Sequence, residues 1–95
     1  MTKMLNLEIT KITTHGDNDP AKDFKAYGKL LGVRVIDNLE MTHGQESVIE
    51  VACNNVERAI YHLGLRGLKF KRCETKGHAC SEKPIFGATI QLIQR

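Results

Sequence analysis

The sequence has few of the residues that mark specialised classes of protein. Among its 95 residues there is no tryptophan, and there are only two tyrosines and three phenylalanines. So few aromatic side chains argue against a nucleic-acid surface on which bases stack on rings. The formal net charge of +3 is also small for a dedicated nucleic-acid-binding domain. We therefore expect no nucleic acid among its partners.

Long hydrophobic runs and secretion signals are missing as well. No apolar run approaches the roughly 20 residues of a transmembrane helix, and the segment Met1–Lys11 has no apolar signal core. The three cysteines, Cys53, Cys73 and Cys80, are an odd number and too few for a disulfide framework. We therefore expect a cytoplasmic protein with free thiols and no membrane partner.

The residues that are present are typical of one small globular domain. Hydrophobic residues make up 41% of the chain and charged residues 26%, which is close to the averages for folded domains. A chain of this length buries only about 60–65% of the surface that it exposes when unfolded, so its stability should be modest. We expect residues 1–95 to form a single domain that gains stability as a homodimer.

Charge is distributed unevenly along the chain. Residues 1–59 contain seven basic and nine acidic residues, whereas residues 60–95 contain seven basic and only two acidic ones. Such asymmetry can attract an anion, although a solvated basic face is the simpler explanation. A small anionic metabolite is therefore a candidate partner.

The first half of the chain begins with the pattern of a strand followed by a helix. Leu7 and Ile9 alternate with polar residues, and Ile12 continues the pattern after a slip of one position, which predicts a half-buried strand. The pair Asp19-Pro20 predicts a capped helix start. Gly32 then predicts a left-handed helix end, so a helix should occupy the residues between them.

A hairpin is predicted after this helix. Apolar residues between positions 33 and 41 suggest two short strands on either side of a turn at Asp37 and Asn38. A second turn is expected near His43 and Gly44.

The second half repeats the rhythm of strand, capped helix, glycine and strand. Residues 47–53 are rich in β-branched side chains, which predicts a strand. The stretch Asn54-Asn55-Val56-Glu57 resembles a capping box, in which Glu57 reaches back to the cap amide. Either Gly64 or Gly67 is expected to end the helix.

The chain should close with a loop and an apolar strand. Residues 73–84 have the composition of a turn-rich loop. Residues 85–93 predict a strand whose apolar face consists of Phe86, Ala88, Ile90 and Leu92. Because this strand carries no charge, it is poorly protected as a sheet edge, and we expect the homodimer to form through it.

Four polar residues lie inside predicted strands and are candidates for a ligand site. Glu8, Glu40 and Glu50 each stand between apolar neighbours, and Gln91 occupies the last strand. Because a strand alternates its faces, such side chains point either to solvent or into the concave side of a sheet. Solvent exposure is the simpler explanation for each one alone, but together they could line a shallow polar pocket.

Basic residues occupy matching positions in the two strands that follow the helices. Arg34 follows the first helix, and Lys69 and Lys71 follow the second. Protection of sheet edges against aggregation explains all three, and Arg34 is also a candidate for anion binding.

The segment from Cys73 to Cys80 combines two cysteines with His78, as a metal loop does. It lacks the second pair of ligands that structural zinc sites present. A Cys–His nucleophile at Cys73 would need an orienting third group, and the sequence shows none. We therefore predict neither a metal site nor a catalytic residue here.

The second unit resembles a known family when it is taken as a whole. The resemblance rests on residues 47–63 (SVIEVACNNVERAIYHL), 66–70 (RGLKF) and 85–94 (IFGATIQLIQ), and residues 24–32 followed by 39–41 fit the first half of the same pattern. These segments are similar to the small C-terminal module of bifunctional 2-keto-4-hydroxyglutarate and 2-keto-3-deoxy-6-phosphogluconate aldolases. That module in turn resembles the glyoxalase/bleomycin-resistance, or vicinal oxygen chelate, superfamily. The resemblance covers roughly residues 21–95.

The resemblance implies an α+β fold for the single domain. Two βαββ(β) units would form a curved, mostly antiparallel sheet with two outer helices. The alternative is a ferredoxin-like βαββαβ sandwich, in which residues 39–41 form no strand of their own. The number of strands distinguishes the two folds.

Enzymes of the superfamily hold a divalent metal with side chains on the first and last strands of each βαβββ module. The corresponding positions here lie near Leu7 or Glu8, at Glu40, near Val48 and at Gln91. Because Val48 cannot bind a metal, we expect neither a metal nor another cofactor. The Schiff-base lysine of the aldolases belongs to a barrel domain, for which this chain is too short.

The resemblance favours a binding or assembly module without demonstrated catalysis and without metal, linked to sugar-acid metabolism. One alternative is a metal-dependent glyoxalase-like enzyme that uses Glu40 and Gln91. The other is a ferredoxin-like regulatory domain.

Overall fold

The described residues form eight secondary-structure elements in the order βαββαβββ. A computed structural model describes residues 7–16, 24–74 and 76–94. The elements are β1 (Leu7–Thr14), α1 (Phe24–Leu31), β2 (Arg34–His43), β3 (Val48–Cys53), α2 (Val56–Leu65), β4 (Phe70–Arg72), β5 (His78–Ser81) and β6 (Thr89–Gln94). The predicted helix start at Asp19-Pro20 lies outside the described residues. Neither described helix is long and apolar enough to cross a membrane.

The six strands form one mixed sheet in the order β2-β1-β3-β6-β5-β4. The β1–β2 and β3–β6 pairs are parallel, and the other three pairs are antiparallel. The predicted α+β class with two helices is therefore confirmed. The βαββαβ order of the ferredoxin-like alternative does not describe this chain, because the sheet contains two further strands.

One hydrophobic core joins both helices to the same face of the sheet. Tyr27 and Leu31 from α1, and Val56, Ala59 and Leu63 from α2, belong to it. The sheet contributes residues from five strands, namely Ile9, Ile12, Ile49, Val51, Cys53, Phe70, Ala79, Ile90 and Leu92. Because strands alternate their faces, the residues between these point away from the helices.

A bulge in β1 explains the slip in its hydrophobic pattern. Ile9 and Lys11 pair with neighbouring residues of β3, so Thr10 is an extra residue in β1. This extra residue returns Ile12 to the face of Ile9, and both isoleucines are completely buried.

Strand β2 is continuous where a hairpin was predicted. The prediction of a turn at Asp37 and Asn38 is wrong, because both residues lie within β2. Pairing with β1 is irregular at this point, since the two steps from Ile9 to Lys11 correspond to five steps along β2. Turn-forming residues therefore lie in a bulge of an edge strand. The connection from β2 to β3, residues 44–47, lies where the second turn was predicted and begins at Gly44.

The glycine stops after both helices and the cap of α2 agree with the sequence-based prediction, but Glu57 has a different partner. Gly32 and Gly67 have φ angles of 68° and 88° and follow α1 and α2 as left-handed stops. Asn55 caps α2, and its side-chain oxygen accepts a first-turn N–H at 3.1 Å. Glu57 was expected to reach the cap amide, but it forms an ion pair with Arg72 of β4.

Strand β5 lies within the segment that was predicted to be a loop, residues 73–84. Because β5 pairs with β6, strand β6 lies inside the sheet, and Ile90 and Leu92 are completely buried. The prediction that the last strand is an exposed edge is therefore wrong. Among the described strands, β2 and β4 are at the edges, and a homodimer through strand pairing would have to use one of them.

A tight turn replaces the beginning of the predicted last strand. Phe86 and Gly87 have φ angles of 51° and 88°, and Ile85 and Ala88 exchange two backbone hydrogen bonds, as in a two-residue hairpin. The Tyr27 hydroxyl donates to the carbonyl oxygens of Ile85 at 2.7 Å and Phe86 at 2.8 Å. Phe86 was predicted to share the buried face of Ala88, but it is 72% exposed.

Replacing Tyr27 with Phe should destabilise the protein, whereas replacing Tyr61 with Phe should not. The Tyr27 hydroxyl holds the turn, and its loss should lower the free energy of unfolding by about 1–2 kcal/mol. Tyr61 is 64% exposed on α2 and provides the matched control. Urea unfolding of the two variants checks this, and equal stabilities would contradict the role of the Tyr27 hydroxyl.

Candidate functional site

The five candidate residues from the sequence lie on one face of the sheet. Strand register and alternation place them on the face opposite the helices, which no described helix covers. We call it the open face. Its polar residues include Glu8, Lys11, Arg34, Glu40, Glu50, His78, Cys80 and Gln91.

Two neighbouring rows of side chains run across the open face. In the first row, Arg34 of β2 pairs with Glu8 of β1, and Glu8 pairs with Ala52 of β3. The second row consists of Glu40, Lys11, Glu50, Gln91 and Cys80 on successive strands. Opposite charges therefore face each other across strands, which stabilises the sheet and leaves a polar surface.

Lys11 lies between two of the candidate carboxylates. Its Nζ is 3.5 Å from Oε2 of Glu40 and 3.9 Å from Oε2 of Glu50. The side chain of Glu50 is 21% exposed, whereas that of Glu40 is 66% exposed. Glu50 is therefore the sheltered partner, and Glu40 is the one that solvent or a ligand can most easily displace.

Lys11 is the residue that the sequence analysis missed. Strict alternation places it on the same face as Ile9, towards the core. The extra residue Thr10 moves it to the open face. The slip in the hydrophobic pattern at Ile12 was the available signal. An apolar residue that is displaced by one position indicates an inserted residue before it, and the side chain of Lys11 then changes face together with that of Ile12.

Gln91 lies on the other side of Glu50. The two residues are register partners on β3 and β6. The Nε2 of Gln91 is 3.4 Å from Nδ1 of His78, to which it donates when that nitrogen carries no proton. His78 was placed in a loop by the sequence, because the short strand β5 was not predicted.

Glu40 and Gln91, the pair expected to hold the metal of a glyoxalase-like enzyme, are far apart. Strands β1 and β3 lie between them, which corresponds to a separation of roughly 14 Å. Ligands lie within about 2.6 Å of an ion, so these two residues do not share one. In the part of the chain that the structure describes, no three His, Cys, Asp or Glu residues are grouped to hold a metal ion.

Two pockets are formed by described residues of the loops and strand ends. One of about 380 Å³ is lined by residues 67–69 and 82–85. The other, of about 300 Å³, includes His15, Pro84 and Thr89. None of the five candidate residues lines either of these two pockets.

The three cysteines are free thiols, as predicted, and lie in two environments. Cys53 is buried under the helices, and its burial raises the pKa of its thiol, although the backbone of Asn55 opposes this effect. Cys73 follows β4 and Cys80 lies within β5, and both are partly exposed.

Comparisons with known proteins do not assign this geometry to a family. No protein-family model, no curated protein and no solved structure matches the chain.

The purified protein should contain no stoichiometric divalent metal, and EDTA should leave its Tm unchanged. The Lys11 ammonium occupies the position between Glu40 and Glu50 where a cation would have to bind. Elemental analysis by plasma mass spectrometry and thermal unfolding with and without EDTA check this. A stoichiometric transition metal, or a loss of several degrees in EDTA, would contradict it.

Proposed function

We propose that this chain is a metal-free binding module that holds a small anionic metabolite on the open face of its sheet. The observation that carries the proposal is the contact of Lys11 with one sheltered and one exposed carboxylate. An exposed ion pair contributes little to stability, so it can be exchanged at little cost in free energy.

The ligand would bind by replacing Glu40. A carboxylate or phosphate group takes the place of the Glu40 side chain at Lys11, while Glu50 stays in contact with the ammonium group. Gln91 lies next to Glu50 and offers an amide for a hydroxyl or keto oxygen. Arg34 in the neighbouring row adds a second positive charge at the edge of the face.

The order of elements supports a glyoxalase-like fold for this module. Strand β3, helix α2 and strands β4, β5 and β6 follow one another as one βαβββ unit. Strand β1, helix α1 and strand β2 form a shorter unit before it. With the resemblance of residues 21–95 to the aldolase-associated module, this order favours 2-keto sugar acids as the first ligands to test. The choice of ligand is an analogy at the level of the fold.

Assembly through the open face is less well supported than ligand binding. A structural dimerisation surface would be depleted of charge at its centre. The central strand β3 instead carries Glu50 on this face, and Lys11 lies beside it on β1. A homodimer that uses the edge of β2 or β4 is compatible with a ligand on this face.

The parent protein should bind a 2-keto acid, and Lys11→Met should weaken binding at least tenfold, because a charge-assisted hydrogen bond contributes about 1.5–3 kcal/mol. Glu40→Gln should bind as tightly as the parent or more tightly, because it removes the competing carboxylate. Calorimetric titration with pyruvate, 2-oxoglutarate and 2-keto-3-deoxygluconate measures these affinities.

Lys29→Met is the matched control, because Lys29 is exposed on α1, on the helix side of the sheet. It should leave the affinity unchanged. Equal weakening by the Lys29 and Lys11 variants would mean that only the net charge matters. Absence of binding by the parent at millimolar concentrations would contradict the proposed ligand class.

A further inference from the structure

Two thiols meet on the hairpin formed by β4 and β5. The Sγ of Cys73 donates to the Sγ of Cys80 at 3.2 Å. Cys73 follows β4, and its N–H donates to the carbonyl oxygen of His78 at 3.0 Å. Lys71, two residues earlier, pairs with Cys80. The two cysteines are therefore diagonal neighbours on the open face of this hairpin.

The surroundings raise the pKa of the Cys73 thiol but leave both sulfur atoms accessible. The hydrogen bond to Cys80 raises the pKa of the Cys73 thiol, and burial and the charge of Cys80 raise it further, whereas Lys71 lowers it. Both cysteines are partly exposed, so a small oxidant can reach them. Cys53 differs because it is 1% exposed and its thiol donates to the carbonyl oxygen of Ile93 on the helix side.

We propose that Cys73 and Cys80 form a reversible intramolecular disulfide by exchange with a low-molecular-weight disulfide such as glutathione disulfide. One protein thiolate attacks a sulfur of glutathione disulfide, which gives a mixed disulfide and releases one glutathione thiolate. The second protein thiol loses its proton to solvent, attacks the protein sulfur of the mixed disulfide and expels the second glutathione. Two S–H bonds are replaced by one S–S bond, and the two electrons reduce one glutathione disulfide to two glutathione molecules.

The bond needs only a small local movement. The sulfur atoms are 3.2 Å apart and must approach to about 2.05 Å. The closed ring contains only the hairpin between the two cysteines, so the rest of the sheet keeps its pairing. Cys80 is the register partner of Gln91, and the disulfide would therefore lie at the end of the second row of the open face.

The test equilibrates the reduced protein anaerobically, without metal, in glutathione buffers of increasing oxidised fraction. Samples are quenched in acid, denatured and alkylated. Mass spectrometry of the intact protein then counts the alkylated thiols and the bound glutathione. The parent should lose two of its three alkylatable thiols without gaining glutathione. Cys73→Ser and Cys80→Ser should each gain one glutathione and never lose two thiols by internal bonding. Trypsin cleaves after Lys76, between the two cysteines. The oxidised parent should therefore yield two peptides that are joined by the disulfide, and reduction should separate them.

Two comparisons make the result specific to the folded hairpin. Cys53→Ala should oxidise like the parent, because the Cys53 sulfur lies on the other face. The chain unfolded in urea should need a buffer about tenfold more oxidising to reach half conversion, because the fold holds the two thiols together.

Four outcomes would overturn the proposal: three thiols retained by the parent in every buffer, a mixed disulfide that persists in the parent, a bond that includes Cys53, or the same midpoint in urea. The peptide map of the parent decides the matter by itself if a serine variant does not fold, which circular dichroism would show.

Discussion

The extra residue Thr10 in β1 decides which side chains meet on both faces of the sheet. Because side chains alternate along a strand, one inserted residue reverses the faces of all residues that follow. Ile12 therefore joins the core next to Ile9, and Lys11 points to the open face. There its ammonium group contacts Glu40 and Glu50. The hydrophobic core and the charged row thus depend on the same local irregularity.

The position of β6 at the centre of the sheet organises the other half of the open face. Its parallel pairing with β3 sets Gln91 beside Glu50, and its antiparallel pairing with β5 sets Gln91 beside Cys80. The candidate ligand surface and the thiol pair are therefore continuous along one row. A change in the bonding of Cys80 would occur next to a residue that we propose to contact the ligand.

The charged and polar residues of the open face favour a polar ligand over a metal site or an assembly surface. A metal site needs several ligands around one point, whereas Glu40 and Gln91 are three strand positions apart. An assembly surface needs a centre that can be desolvated, whereas the central strand β3 carries the charged Glu50 on this face, paired with Lys11. A polar ligand is compatible with both facts, because it exchanges one set of charged contacts for another.

Local signals in the sequence were sufficient for the α+β class, for the glycine stops and for the polar residues inside strands, because backbone sterics and side-chain alternation act over a few residues. Tertiary structure decided the rest. Asp37 and Asn38 have turn propensity but lie in a strand, because pairing with β1 overrides local preference. The strand β5 is short and gains its stability from its neighbours on both sides. Strand order is likewise a long-range property, so the sequence by itself could propose Gln91 for the site but could not place it beside Glu50.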